Sequence, residues 1–335
     1  MDGVTRDSSH SPGSRSTERP FRRHAMGMAS TPRQPEASPR AWILNLDAEH
    51  ELEGGRRYTP TDHLRRLVAR EGRRLLGSLV APGDVVLTGD DSAEDDARAR
   101  GLPGLAWCPT PRALARLAAA GARPQAAPGV EVLRAVNARP FTVAVRAPLV
   151  ESSFAKHVAA ELDEVLALLA RPSAEGWLVR RAYGAAGRGR RRLATGAPSG
   201  PERAWLTAGL RRGPLVVEPW VRVTREYTRS AWVHPSGEVV IAPPCLQETT
   251  AAGAWTRTER ARRGEVARAD DARLEEAVDA AGAALAVAGY FGPFGIDAFR
   301  HRSPGGREVL NPMSEINARF TMDWTTGMGE RAGTP

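Results

Sequence analysis

Two acids interrupt otherwise apolar strand patterns toward the end of the chain. Asp297 sits within Phe294-Gly295-Ile296-Asp297-Ala298-Phe299, and Glu315 within Met313-Ser314-Glu315-Ile316-Asn317. A carboxylate in such surroundings is costly unless it meets a cation. Glu315 and Asn317 are two residues apart, so on a strand their side chains share a face. Asp297, Glu315 and Asn317 thus offer the hard oxygen ligands that Mg2+ prefers. An ion pair between Glu315 and Arg319 is the competing explanation.

Two further segments carry polar chemistry on a strand frame. Trp177-Leu178-Val179-Arg180-Arg181 runs into Ala182-Tyr183-Gly184-Ala185-Ala186-Gly187-Arg188-Gly189. Small residues there let backbone N–H groups approach phosphate oxygens, although glycine loops after strands are also plain hairpin turns. No Gly-Lys-Ser/Thr follows, which excludes a P-loop, and the next element reads as a strand, which argues against a dinucleotide fingerprint. Pro214-Leu215-Val216-Val217-Glu218-Pro219-Trp220-Val221, with Glu226 beyond it, forms an apolar strand ending in a carboxylate and a proline. Its backbone can pair with an adenine edge, and Glu226 can accept from ribose hydroxyls; two solvated acids on a strand is the plainer reading.

The elements that must position these groups alternate in two textures. Ala41 to Leu46 reads as a buried strand, Thr61 or Asp62 caps a helix, Val85 to Thr88 is a second strand and Gly104 to Cys108 a third. With a helix over Pro111 to Ala120, this implies a small parallel α/β unit over 41–136. Phe154 to Ala170 reads as a helix with Leu162, Val165, Leu166 and Leu169 on one face. Beyond it come strand, glycine loop, strand, short helix, several strands, a long helix from Asp270 to Ala288 and two final strands, an α+β layout. Residues 1–40 are rich in Ser, Pro and Arg and predict a disordered tail, within which Met26 and Met28 are alternative starts.

In their order and spacing these pieces resemble the ATP-grasp family, in particular its carboxylate–amine ligases. The resemblance spans roughly Trp42 to Met328, and the Glu315-Ile316-Asn317-Ala318-Arg319 segment is its most specific part. It implies a parallel pre-ATP-grasp domain over 41–136 and a two-lobed ATP-grasp fold over 137–330, with a glycine-loop lobe at about 172–217 and a C-terminal lobe at about 218–330. It implies ATP with Mg2+ or Mn2+, and an acyl phosphate that passes to an amine. The loop with Gly184, Ala185, Ala186 and Gly187 would cover the β- and γ-phosphates. Glu218, Trp220 and Val221 would form the adenine hinge, and Glu226 would bind ribose. Asp297, Glu315 and Asn317 would be the metal ligands, and Arg319 would steady the transferred phosphoryl group or the substrate carboxylate. One departure stands out: Arg180 occupies the place of a family lysine, and Arg139 or Arg146 is the candidate for a second one upstream. Arginine keeps the charge but is bulkier and fixed in shape. An ATP-binding protein of the same fold without ligase activity is therefore the alternative. Trp232, Gln247 and Trp255 lie between hinge and metal strands, where an acceptor pocket or plain packing would use them.

Composition narrows the rest. A chain of 335 residues, 41% apolar, can bury a large core, and no run approaches the roughly 18 apolar residues of a membrane span. No apolar stretch of a secretory signal opens the chain, so a cytoplasmic protein is expected. Cys108 and Cys245 are too few for a disulfide framework. The net charge of +8 raises nucleic-acid binding, but Lys156 is the only lysine among 47 Lys and Arg residues. Such one-sidedness reflects a GC-rich coding bias, and the arginines are scattered among acids, so no nucleic-acid partner is expected. Partners are small-molecule carboxylates and amines, with a homodimer as the default assembly.

Overall fold

The computed structural model describes residues 38–88, 92–150, 154–184, 187–250, 253–303 and 305–329. The expected N-terminal tail falls almost wholly outside them, as do Ala185 and Ala186 of the glycine loop.

From the first described residues onward, strands and helices alternate: β1 (Ala41–Ile43), α1 (Ala48–Gly54), α2 (Asp62–Gly72), β2 (Val85–Val86), α3 (Ala93–Ala99), β3 (Pro103–Ala106), α4 (Pro111–Ala119) and β4 (Arg123–Pro124). The four strands form one parallel sheet in the order β2-β1-β3-β4. Asp84, in the turn before β2, pins the start of β1: its carboxylate accepts from the Arg40 N–H and the Trp42 indole, each at 2.9 Å. Thr61 caps α2 as the sequence implies, accepting from the Leu64 N–H.

Two helices, α5 (Val130–Asn137) and α6 (Arg139–Arg146), then lead to the strand that carries Glu315. Asn137 Oδ1 accepts from the Ala318 N–H at 3.1 Å, and Thr142 Oγ1 accepts from the Ile316 N–H at 3.0 Å. These two side chains fix the strand on either side of Asn317.

Next comes a small antiparallel lobe of β5 (His157–Ala159), α7 (Leu162–Leu169), β6 (Trp177–Arg181), β7 (Arg190–Leu193), α8 (Gly200–Leu210) and β8 (Leu215–Pro219), with strand order β5-β8-β6-β7. The helix expected over Phe154 to Ala170 is corrected here. Only its second half is helical; His157, Val158 and Ala159 pair with Val217, Val216 and Leu215. Glu164 marks the helix start by accepting from the Glu161 N–H, leaving the residues before it free for the sheet. The lobe sheet thus takes in 157–159 as well as the expected 172–217, and it has its own core of Val165, Leu169, Val179, Leu206 and Val217.

The last part is β9 (Arg222–Val233), β10 (Val239–Ile241), β11 (Cys245–Thr249), β12 (Trp255–Arg260), α9 (Arg268–Val287), β13 (Gly292–Arg302), β14 (Glu308–Asn317) and α10 (Trp324–Met328). Its antiparallel sheet runs β12-β11-β9-β13-β14, with β10 on β9. One core joins this sheet to the parallel unit, with Trp42, Leu133, Phe294, Ile316 and Trp324 all buried in it. Cys108 and Cys245 are buried and unpaired, as expected.

Helix α9 crosses the sheet closely at Gly282, where an added Cβ would lie 2.7 Å from Val239 Cγ2. Helix propensity alone favours alanine there by about 1 kcal/mol. The contact reverses the sign: Gly282→Ala is expected to destabilise the chain by about 1–3 kcal/mol in denaturant titration. A stabilised variant would show that α9 is not seated this closely.

Candidate functional site

The antiparallel register of β13 and β14 sets Asp297 opposite Glu315 and Gly295 opposite Asn317. On the other side of β13, Thr228 of β9 faces Asp297. Asn317 Nδ2 donates to Asp297 Oδ2 at 3.1 Å, so the three expected metal ligands do come together. Among the described residues, no three His, Cys, Asp or Glu side chains gather as a metal set; the candidate is two carboxylates and an amide. Asp297 is pushed up to about 7, first by burial and then by the nearby carboxylates of Glu315 and Asp323. Asp323, deeply buried, accepts from Thr228 Oγ1 at 3.1 Å, and burial raises its carboxyl too.

Opposite these acids stand cations from three elements. Glu315 pairs with Arg139 at 2.9 Å and with Arg180 at 3.3 Å. Burial would raise the Glu315 carboxyl, but Arg139, Arg180 and Lys156 hold it below its ordinary value. Glu218, at the end of β8, lies between Lys156 Nζ and Arg180 Nε, each 2.8 Å away. Its burial is outweighed by these two charges, which hold it down at about 2. Lys156 also donates to Ser314 O at 2.8 Å, and burial lowers its ammonium to about 8. The result is an unbroken chain, Lys156–Glu218–Arg180–Glu315–Arg139, linking the start of β5 with β8, β6, β14 and α6. Between Arg139, Lys156, Arg180 and Ser314 it leaves a void of only about 10 Å3.

Lys156 is the functional candidate that sequence reasoning passed over. Read as part of a helix, it had no reason to point at the glycine-loop strand. Its signal was its uniqueness, the single lysine beside 46 arginines. Of the residues suggested for an upstream lysine, Arg146 lies deeper, donating to Met313 O and Asn311 Oδ1, and burial lowers it to about 10. Arg139 reaches the site and also ties down the entrance of the glycine loop, donating to Arg181 O at 2.9 Å and Gly184 O at 2.7 Å. Glycine is needed at 184, where a Cβ would meet Arg188 O at 2.5 Å; Gly187 and Gly189 have φ of 74° and 70°.

The remaining candidates divide. The Trp220 N–H already donates to Gly176 O at 2.9 Å, and Arg192 lies over the Trp220 ring. Val221 is half-buried just before β9. Glu226 accepts from Thr249 Oγ1 at 2.7 Å and pairs in register with Gln247. Trp232 packs against Phe320 and Trp324 in the core, and Trp255 lies under Arg74. Arg319 does not pair with Glu315. It donates to Glu49 Oε1 at 2.6 Å, to Asn317 Oδ1 at 3.1 Å and to Phe320 O at 3.0 Å.

No family model and no curated protein sequence matches the chain. Solved structures do. Biotin carboxylase from Campylobacter jejuni, in its β,γ-ATP complex, is similar at a TM-score of 0.53 and 12% identity, over 86% of this chain and 67% of that one. Pyruvate carboxylase from Rhizobium etli is similar at 0.52 and 12%, over 87% of this chain but 27% of the longer enzyme. N5-carboxyaminoimidazole ribonucleotide synthetase from Thermus thermophilus is similar at 0.47 and 18%, over 85% and 73%. The chain has the ATP-grasp fold: a parallel α/β unit followed by two antiparallel lobes.

The raised Asp297 carboxyl has a consequence in the metal-free chain. A folded-state value above the ordinary one removes stability as pH climbs from about 4 through about 7. Asp297→Asn is therefore expected to raise the melting temperature of the metal-free chain at pH 8 and to change it little at pH 4. A lower melting temperature at pH 8 would refute this electrostatic reading.

Proposed function

We propose that the chain is a Mg-ATP-dependent ligase that activates a small-molecule carboxylate as an acyl phosphate and passes it to an amine. The observation that carries this reading is a buried, unspent guanidinium donor, Arg139 Nε, beside the carboxylate pair. Arg139 Nε has no hydrogen-bond partner. Arg180 Nε, by contrast, is engaged by Glu218 Oε1 at 2.8 Å. Both side chains are nearly buried. A buried donor without an acceptor is costly, and an anion between the glycine loop and β14 would satisfy it. The donor set at Asp297, Glu315 and Asn317 fits Mg2+, which takes one or two carboxylates and completes its shell with phosphate and water.

In this reading Lys156, Arg139 and Arg180 bind the triphosphate, and the Gly184–Gly189 loop closes over its end with backbone N–H groups. Because the Trp220 N–H is already engaged, the backbone around Val221 meets the adenine edge. Glu218 acts through the cations it holds, and Glu226 receives the ribose hydroxyls. Asp297, Glu315 and Asn317 would hold Mg2+, which would supply charge neutralisation at the phosphates. A carboxylate oxygen of the substrate attacks the γ-phosphorus as the bond to the ADP oxygen breaks. The amine nitrogen then attacks the acyl carbon, phosphate leaves with the bonding pair, and the nitrogen gives up a proton to the departing phosphate or to water. The protein contributes positioning, charge and exclusion of water. The nucleotide-binding part is 137–330, built on the preceding unit of 41–136.

A second reading, nucleotide binding without turnover, is favoured by one feature: the arginines close on Glu315 and leave almost no void. ADP release across a panel of carboxylates with and without amines separates the two. The ligase reading expects release that requires both substrates and falls about 100-fold or more in Glu315→Gln. Arg180→Lys, which supplies the residue the resemblance expects, should retain turnover. Mg-ATP binding with no release on any pair would favour the second reading, and turnover unaffected by Glu315→Gln would remove the metal assignment.

A further inference from the structure

Arg319 lies beside the metal-site candidates, and each of its three nitrogens donates within the protein. Nε is held by Glu49 and Nη2 by Asn317 Oδ1; Nη1 is held by Phe320 O, and the guanidinium lies over the Trp107 ring at 5.3 Å. Asn317 passes the constraint on, since its Nδ2 donates to Asp297 Oδ2. Three hydrogen bonds therefore run from Glu49 in α1 to Asp297 in β13, across 248 positions of sequence (297 − 49).

Glu49 is 6% exposed, and its second oxygen has no partner. Burying such a pair is no route to stability by itself, because the desolvation of two ions roughly cancels their attraction. What the pair does supply is orientation. With Arg319 fixed, the Asn317 amide can present only its oxygen to Arg319 and only its nitrogen to Asp297. The acids that face Arg319 are Glu49, Glu315 and Asp297, with the neutral Cys108 thiol alongside.

We propose that Glu49 is a positioning residue for the metal site: it anchors Arg319, Arg319 sets Asn317, and Asn317 sets Asp297. The parallel unit thereby controls how well the C-terminal sheet holds a divalent cation. This rests on the ligase reading above, and it adds to it a residue from outside the nucleotide-binding part.

The test is Mn2+ binding to the full chain with ADP present, followed by electron paramagnetic resonance, beside thermal melts. Glu49→Gln keeps the size and the acceptor but removes the charge; Mn2+ affinity is expected to fall about 10-fold or more. Glu51→Gln is the control, a buried acid on the same helix that binds Thr110 and Arg112 instead. It should lower the melting temperature and leave Mn2+ affinity unchanged. The double variant Glu49→Gln/Arg319→Gln removes both charges and should fold at least as well as Glu49→Gln, with affinity still low. Wild-type affinity in Glu49→Gln overturns the proposal. Recovery in the double variant overturns it too, because a stray arginine charge and not orientation would then be at fault, as does an equal loss in Glu51→Gln. Wild-type chain that binds no Mn2+ with ADP would instead overturn the metal reading, and this proposal with it.

Discussion

The structure turns on one chain of alternating charges, Lys156–Glu218–Arg180–Glu315–Arg139. Its five members lie on or beside five elements, and Arg180–Glu315 within it ties the small lobe to the final sheet. Five ions this deep are tolerable only because each faces an opposite charge; removing Glu218 leaves Lys156 without its carboxylate, and removing Glu315 does the same to Arg139. The chain also fixes where the lobes meet, since β6 and β8 contribute Arg180 and Glu218 while β14 contributes Glu315. A nucleotide would enter by exchange, its phosphates taking the arginines from Glu315 and a cation taking the place of the arginines on that carboxylate.

The two ends of the site are balanced differently. At the Glu218 end, cations dominate and the carboxyl is held down at about 2. At the Asp297 end, acids dominate: Asp297, Glu315 and Asp323 sit close together, with Asn317 as the immediate partner of Asp297. An excess of positive charge beside an excess of negative charge is the pattern that a polyanion with a divalent cation would complete. Stability and function pull in opposite directions at Asp297, where the metal-free chain is strained by the very charge that the proposed chemistry requires.

Much of this was legible in the sequence, for physical reasons. Asp297, Glu315 and Asn317 were readable because a strand has a period of two and a buried acid stands out against apolar neighbours. The parallel unit and the final sheet followed from alternation of strand and helix signals. Lys156 was hidden by a local error: the pattern of Leu162, Val165, Leu166 and Leu169 spread helix over residues that pair with β8. Short strands bounded by a helix carry little periodicity of their own, and tertiary pairing decides them. The Glu49–Arg319 contact had no local signal at all. Ion-pair partners this far apart are set by the fold, which is why Glu315 met Arg139 and Arg180 rather than Arg319, the choice that sequence proximity favoured.

The central claim is a site for nucleotide and metal together, and titration calorimetry of ATP with and without Mg2+ tests it most directly. The account predicts one ATP per chain with Mg2+, weaker binding without it, and a loss of that metal dependence in Glu315→Gln. No binding, or equal binding with and without Mg2+, would contradict it.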